Sequence, residues 1–72
     1  MTPSTNDRES TLSAREHDVL KQLEMGATTA VVAERLHISR TTVNNHVQHI
    51  LRKANSHTRI EAIRRAERAG LL

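Results

Sequence analysis

The most restrictive feature of this chain is a pair of helical patterns separated by only three residues. The first pattern follows Thr28 and the second follows Ser39, and both are residue types that cap helix amino termini. Residues 37–39 form the turn between them, and Ile38 is expected to fill the corner. A helix, a three-residue turn and a second helix make up a helix-turn-helix arrangement.

The second pattern, from Arg40 to about Ala54, has two different faces when it is placed on a helix at about 100° per residue. The apolar stripe contains Val43, Val47, Ile50 and Ala54. The opposite face, within an arc of roughly 100°, contains Thr41, Asn44, Asn45, Gln48 and Arg52. No acidic residue occurs between the ends of this segment. Such a face, rich in amides and free of negative charge, favours contact with the base edges of nucleic acid.

Helix signals also occur on both sides of this pair. Ser13 and Glu16 have the spacing of a capping box, as do Thr58 and Glu61. The segments that follow end near glycines at positions 26 and 70. Their apolar stripes contain Val19, Leu20 and Leu23 in the first helix, Val32, Ala33 and Leu36 in the second, and Ala62, Ile63, Ala66 and Ala69 in the last. The sequence therefore predicts an all-α fold, a small four-helix domain with a central helix-turn-helix.

Composition limits the size of the core. The chain has 72 residues, 36% of them hydrophobic, with no aromatic residue and no cysteine. Neither ring packing nor disulfides can stabilise the fold, and dimerisation is one remaining source of stability. Residues 1–11 are polar and aperiodic, so they are expected to be a flexible tail or the remnant of a linker, with the domain spanning residues 12–72. Charge interrupts every apolar run, and we expect a soluble, cytoplasmic protein without membrane contact.

The charge is distributed unevenly along the chain. Residues 1–38 contain four Lys or Arg and six acids, whereas residues 39–72 contain seven Lys or Arg and only two acids. A concentrated positive surface attracts phosphate through the release of counterions. An ordinary solvated arginine face would have the same composition, so charge alone does not identify the partner.

From Leu12 to Leu72 the chain resembles the LuxR-type, or GerE-like, helix-turn-helix domain. This domain is the DNA-binding module of many bacterial response regulators and quorum-sensing activators. The resemblance rests on L-S-A-R-E (12–16), V-L (19–20), Gly26, V-A-E-R-L (32–36), I-S (38–39), T-V-N-N-H (42–46), I-L-R-K (50–53), T-R (58–59), Ala62 and the closing A-G-L-L. It implies a transcription regulator, or its DNA-binding domain, whose third helix enters the major groove of double-stranded DNA.

The resemblance also implies roles for individual residues. Base contacts are expected from Asn44, Asn45 and Gln48. Phosphate contacts are expected from Thr28, Arg40, Thr41, Thr42, Arg52 and Lys53. Dimerisation on inverted half-sites is expected through the last helix, with Ala62, Ile63, Ala66 and Ala69 at the interface. We expect a monomer or weak homodimer that DNA drives to pair, with RNA polymerase as a further candidate partner.

Several positions depart from the family pattern. Asn44 replaces the usual lysine, and three amides on one face suggest half-sites read at A·T pairs, because Asn and Gln match adenine N6 and N7. His37 stands where glycine is common, although histidine is one of the residue types enriched at positive φ. Ala54 and Ser56 replace apolar residues, which predicts weaker packing at the end of the third helix.

The sequence supports metal binding and catalysis less well than DNA binding. His46 and His49 are three apart on the third helix, but His46 flanks the apolar stripe and His49 the opposite edge, and no carboxylate lies between Arg40 and Lys53, which argues against a metal site. No glycine-rich phosphate loop or evident pocket supports catalysis, so neither an enzyme nor a cofactor is expected. Two alternatives stay open, a sigma-factor-like promoter module and an anti-activator that uses the last helix to sequester a regulator.

Overall fold

The computed structural model describes residues 12–72, and within this range the chain forms four α-helices and no strand. The helices are α1 (Ala14–Glu24), α2 (Thr29–Leu36), α3 (Arg40–Lys53) and α4 (Arg59–Arg68). This confirms the predicted all-α fold with a central helix-turn-helix. The predicted tail, residues 1–11, lies outside the described residues. No helix within residues 12–72 has the length and apolar character needed to cross a bilayer.

Each helix begins at a hydroxyl side chain that accepts a hydrogen bond from the backbone of the third helical residue. The caps are Ser13, Thr28, Ser39 and Thr58. At α1 the capping box is complete, because the Ser13 N–H also donates to Oε1 of Glu16 at 3.0 Å. At α4 the box is not reciprocal: Glu61 accepts from the backbone N–H of His57 at 2.8 Å instead of from that of Thr58. This hydrogen bond lowers the pKa of Glu61.

All four helices end in the same way, at a residue in the left-handed region. These residues are Gly26, His37, Asn55 and Gly70, with φ of 94°, 58°, 53° and 76°. In each case the next residue donates to the carbonyl five positions earlier, which is the Schellman arrangement. The prediction of positive φ at His37 is confirmed. Asn55 adopts the same left-handed conformation after α3. Asparagine, like histidine, is one of the few non-glycine residue types that tolerate a positive φ.

Helix α3 lies at the centre and packs against each of the other three helices. The buried hydrophobic residues of the described range are Val19, Leu20, Val32, Ala33, Val43, Val47, Ile50, Ala62 and Ala66. Ile38 and Leu36 are half-buried against this core, so Ile38 fills the corner between α2 and α3 as predicted. Branched aliphatic side chains and alanine thus form the whole core, in a chain that has no aromatic residue.

A surface groove opens beside the end of α3. Ala54 is half-buried, and beside it lies a groove of about 420 Å³ lined partly by Leu12, Leu20 and Leu71. The groove lies between α1, α3 and α4. The weaker packing expected where Ala54 replaces a larger apolar residue stays a prediction.

Within residues 12–72 one carboxylate is buried, that of Glu16 at the start of α1. Its Oε1 accepts from Nζ of Lys53, on α3, at 2.7 Å. Burial raises the pKa of Glu16, but the hydrogen bonds from Lys53 and from the Ser13 backbone outweigh burial and leave the pKa below its ordinary value. The pair joins the beginning of α1 to the end of α3.

Candidate nucleic-acid interface

The outer face of α3 is exposed as its periodicity predicts. Thr41, Asn44, Asn45, Gln48 and Arg52 all lie at the surface. On the other side Val43, Val47 and Ile50 are at most 4% exposed. The 100° repeat of the helix separates the two sets, since burying the apolar stripe against α1, α2 and α4 turns the amides outward. We call the five exposed residues the outer face of α3.

The electrostatics of this surface favour an anion. Neither α2 nor α3 has an acidic residue in its first turn, so the positive ends of both helix dipoles lack an acidic side chain. Arg40 is exposed at the start of α3 and Arg52 is exposed near its end. The nearest buried carboxylate, Glu16, is neutralised by Lys53. Phosphate oxygens that approach the amino termini of α2 and α3 therefore meet no acidic side chain in the first turn of either helix.

The threonines predicted to contact phosphate lie at the two helix starts. The hydroxyl of Thr28 accepts from the Val31 N–H at 3.2 Å, so it serves as the cap of α2. The hydroxyl of Thr42 lies 2.9 Å from that of Ser39, and Thr42 is half-buried. Thr41 alone is fully on the outer face. A hydroxyl that accepts one bond still has its proton to donate, so capping and phosphate binding are compatible.

The surroundings of Lys53 differ from those expected of a phosphate ligand. Its ammonium group lies 2.7 Å from Oε1 of Glu16, and its side chain is only 26% exposed. Along the helix Lys53 falls on the edge that faces α1, away from Asn44 and Arg40. Its first role in the structure is to satisfy the buried carboxylate.

Sequence reasoning did not find the partner of Asn44. Nη2 of Arg59, the first residue of α4, donates to Oδ1 of Asn44 at 3.4 Å. The T-R pair at residues 58–59 was noted only as part of the family pattern. Fifteen residues separate the two side chains, so no helical spacing connects them, and the angle between α3 and α4 brings them together.

The apolar stripe of α4 faces the domain's own core more than the prediction allowed. Ala62 is 1% exposed and Ala66 is 5% exposed. Their small side chains let α4 approach the other helices, and those helices already cover them. These two alanines are therefore not available to a second copy. Of the predicted interface residues, Ile63 is half-buried and Ala69 is exposed.

The histidines do not assemble a metal site in the described range. No group of three His, Asp or Glu residues within residues 12–72 could hold a metal ion. His46 is half-buried, and the Nδ1 atom of the exposed His49 lies 3.6 Å from Oε2 of Glu16. His17 contacts the carbonyl of Leu71 at 2.7 Å, which holds the end of the chain against α1.

Comparison with known proteins identifies the family to which this geometry belongs. The GerE family model, described as bacterial regulatory proteins of the luxR family, matches residues 10–66. The chain belongs to the LuxR family. This is a family of DNA-binding regulators and not of enzymes, and the match favours the LuxR-type interpretation over the sigma-factor-like one.

Individual relatives are also transcription regulators. The HTH-type transcriptional activator RamA of Corynebacterium glutamicum is 39% identical over 72 residues, which are 100% of this chain and 26% of RamA. The nitrate/nitrite response regulator NarL of Escherichia coli is 41% identical over 51 residues, 71% of this chain and 24% of NarL. The chain thus spans about a quarter of the length of these relatives.

A solved structure shows the same fold. The crystal structure of ChrA, the response regulator of a haem-sensing two-component system, superposes with a TM-score of 0.83. The identity is 39%, over 86% of this chain and 31% of ChrA. The LuxR-family chain described here therefore has the four-helix architecture of a response-regulator DNA-binding domain.

Proposed function

We propose that this chain binds double-stranded DNA sequence-specifically and regulates transcription, with α3 in the major groove. The single observation that carries the proposal is the outer face of α3, where exposed amides lie opposite the buried Val43, Val47 and Ile50. Carboxamides can donate and accept hydrogen bonds, which is what base edges in the major groove require. Family membership supports DNA as the partner.

The dimensions of α3 suit this groove. A helix of fourteen residues is about 21 Å long and, with its side chains, about 10–12 Å wide, close to the width of the major groove. Its central position between the other helices makes it a rigid support, so the amides are held in fixed register. Asn45 and Gln48, near the middle of the outer face, are the proposed direct readers of bases.

Phosphate contacts would fix this helix in the groove. Arg40 and Thr41 at the start of α3 and Arg52 near its end are exposed on or beside the outer face. The amino termini of α2, at Thr28, and of α3 add backbone N–H groups and the positive ends of helix dipoles. These contacts set orientation and affinity, whereas the amides set sequence preference.

Two copies would bind inverted half-sites. Because Ala62 and Ala66 are buried, the contact between copies must use the outer side of α4 and the chain end. Ile60, on the first turn of α4, is 63% exposed and is the largest apolar side chain on that helix's outer side. Such a small contact supports a weak dimer that DNA stabilises. RNA polymerase is proposed as a further partner when both copies are bound.

Two measurements test the proposal. First, affinity for a mixed-sequence duplex should fall by orders of magnitude between about 50 and 200 mM salt, as electrostatic DNA binding does. An anti-activator that sequesters another protein would show no such response. Second, selection from a random duplex pool should yield an inverted repeat, and sedimentation should show two copies on it. Salt-insensitive binding without sequence selection would overturn the proposal.

A further inference from the structure

The contact between Arg59 and Asn44 biases the direction of one amide on the outer face of α3. Nη2 of Arg59 donates to Oδ1 of Asn44 at 3.4 Å, and both residues are exposed. A guanidinium group has five N–H donors and no acceptor, so it can pair only with the oxygen of the carboxamide. The oxygen of Asn44 therefore points toward α4, and its amino group points away.

This orientation changes what Asn44 can read. To pair with adenine, asparagine must accept from N6 and donate to N7 at the same time. In this structure Oδ1 of Asn44 already accepts from a cationic donor, Nη2 of Arg59. The amino group of adenine would have to compete with this donor for the same oxygen. Guanine instead presents two acceptors, O6 and N7, which match a donor-only surface.

We infer that Arg59 is a positioning residue that makes Asn44 a donor, and that the base read at this position is guanine rather than adenine. The inference rests on the proposed function. It differs from the expectation that all three amides read A·T pairs, which stays a prediction for Asn45 and Gln48. Asn45 and Gln48 have no hydrogen-bonded protein partner for their side chains within residues 12–72, so both can still pair with adenine.

The length of the contact sets the size of the expected effect. At 3.4 Å the hydrogen bond is longer than the usual range of about 2.7–3.2 Å, so it biases the orientation of Asn44 without locking it. We therefore expect a base preference of about five- to tenfold, at the lower end of what a good bidentate contact supplies. Removing Arg59 should release Oδ1 and restore the option of adenine.

The contact itself is tested without DNA. In nitrogen–proton correlation spectra of the full chain, the side-chain amide signals of Asn44 should shift in Arg59→Met. The matched control is Arg15→Met, which removes the same charge from an exposed position on α1. That variant should leave the Asn44 signals in place. If the side-chain amide signals of Asn44 were the same in Arg59→Met and in the unaltered chain, the inference would be overturned.

The base preference is tested by selection from a random duplex pool. Asn44→Ala should make one half-site position indifferent, and the unaltered chain should select guanine there. Arg59→Met should move the guanine-to-adenine ratio toward adenine by about five- to tenfold. Arg15→Met should keep the ratio unchanged.

The opposite outcomes have distinct meanings. If Arg59→Met keeps guanine, if the unaltered chain already selects adenine, or if Asn44→Ala keeps every preference, the inference is overturned and the proposed function stands. If the unaltered chain selects no sequence at all, both the proposed function and the guanine preference are overturned.

Discussion

At the scale of single residues, His37 and Asn55 show how turns are made without glycine. Both stand at the left-handed position that ends a helix, with φ of 58° and 53°. An L-residue in this conformation is strained by about 1–2 kcal/mol, less for asparagine and histidine. His37 lies between α2 and α3, so its strain affects the turn that sets the angle of the proposed recognition helix.

Replacing His37 by glycine should therefore stabilise the domain. The relief of strain, about 1 kcal/mol, exceeds the roughly 0.5 kcal/mol of extra backbone entropy that glycine loses on folding. We expect a net gain of about 0.5 kcal/mol in the free energy of unfolding, measured by urea denaturation followed by circular dichroism. Asn55→Gly is the matched comparison. A loss of stability in His37→Gly would show that the imidazole makes a contact more important than the strain.

Residue-level roles could be predicted from sequence only where they follow from helical spacing. The exposure of Asn45 and Gln48 follows directly from the 100° repeat. The partners of Asn44 and Lys53 do not, because Arg59 lies 15 residues from the first and Glu16 lies 37 residues from the second. Such pairs depend on the crossing angles between helices, which the packing of the whole core determines.

At the scale of elements, the start of α3 combines a structural and a functional role. The hydroxyl of Ser39 accepts from the Thr42 N–H at 3.0 Å and caps the helix. The same terminus is proposed to face a phosphate. The two roles can be separated by the charge of the capping side chain. A cap needs only a hydrogen-bond acceptor, which can be neutral or negative, whereas a negatively charged cap repels a phosphate.

Two substitutions of Ser39 make this separation. Ser39→Ala should lower the free energy of unfolding by about 1 kcal/mol through loss of the cap. Ser39→Asp should keep the stability, since aspartate is an equally good cap, but should weaken DNA binding by about tenfold or more. Urea denaturation and fluorescence anisotropy with labelled duplex measure the two effects. Undiminished DNA affinity in Ser39→Asp would contradict the placement of phosphate at this terminus.

The helices themselves were predictable because caps and stops are local signals. Ser13, Thr28, Ser39 and Thr58 all cap the helices that they were predicted to cap. The hydrogen-bond partner of the Glu61 side chain was not predictable. Glu61 accepts from the N–H of His57 and not from that of Thr58, because the conformation of the loop before α4 decides which N–H lies within reach. The burial of Ala62 and Ala66 likewise depended on how closely α4 approaches α3, which a stripe of small residues permits but does not require.

At the scale of the whole molecule, the ion pair between Glu16 and Lys53 connects the first helix to the central one. Its carboxylate side chain is 6% exposed, so the charge depends on its hydrogen bonds for stabilisation. The pKa of Glu16 is lower in the folded protein than its ordinary value of 4.5. The stabilisation is therefore complete above about that pH and is lost as the pH falls through the folded-state value.

Glu16→Gln should remove this part of the acid sensitivity. Near neutral pH the variant should be less stable than the unaltered chain by about 1–2 kcal/mol, because a charge-assisted hydrogen bond is lost. The difference should shrink as the pH falls below about 4.5. Asp18→Asn, at an exposed position on the same helix, is the control. Its free energy of unfolding should change with pH as that of the unaltered chain does. If the difference in free energy of unfolding between Glu16→Gln and the unaltered chain were independent of pH, this account would be contradicted.

The central claim is that the amides of α3 read DNA sequence, and one ratio tests it most directly. It is the affinity for the selected duplex divided by the affinity for a scrambled duplex, measured at one salt concentration. Loss of two bidentate contacts in Asn45→Ala/Gln48→Ala should lower this ratio by about thirtyfold or more. Affinity for the scrambled duplex should barely change, because phosphate contacts remain. A ratio equal to that of the unaltered chain would contradict the claim.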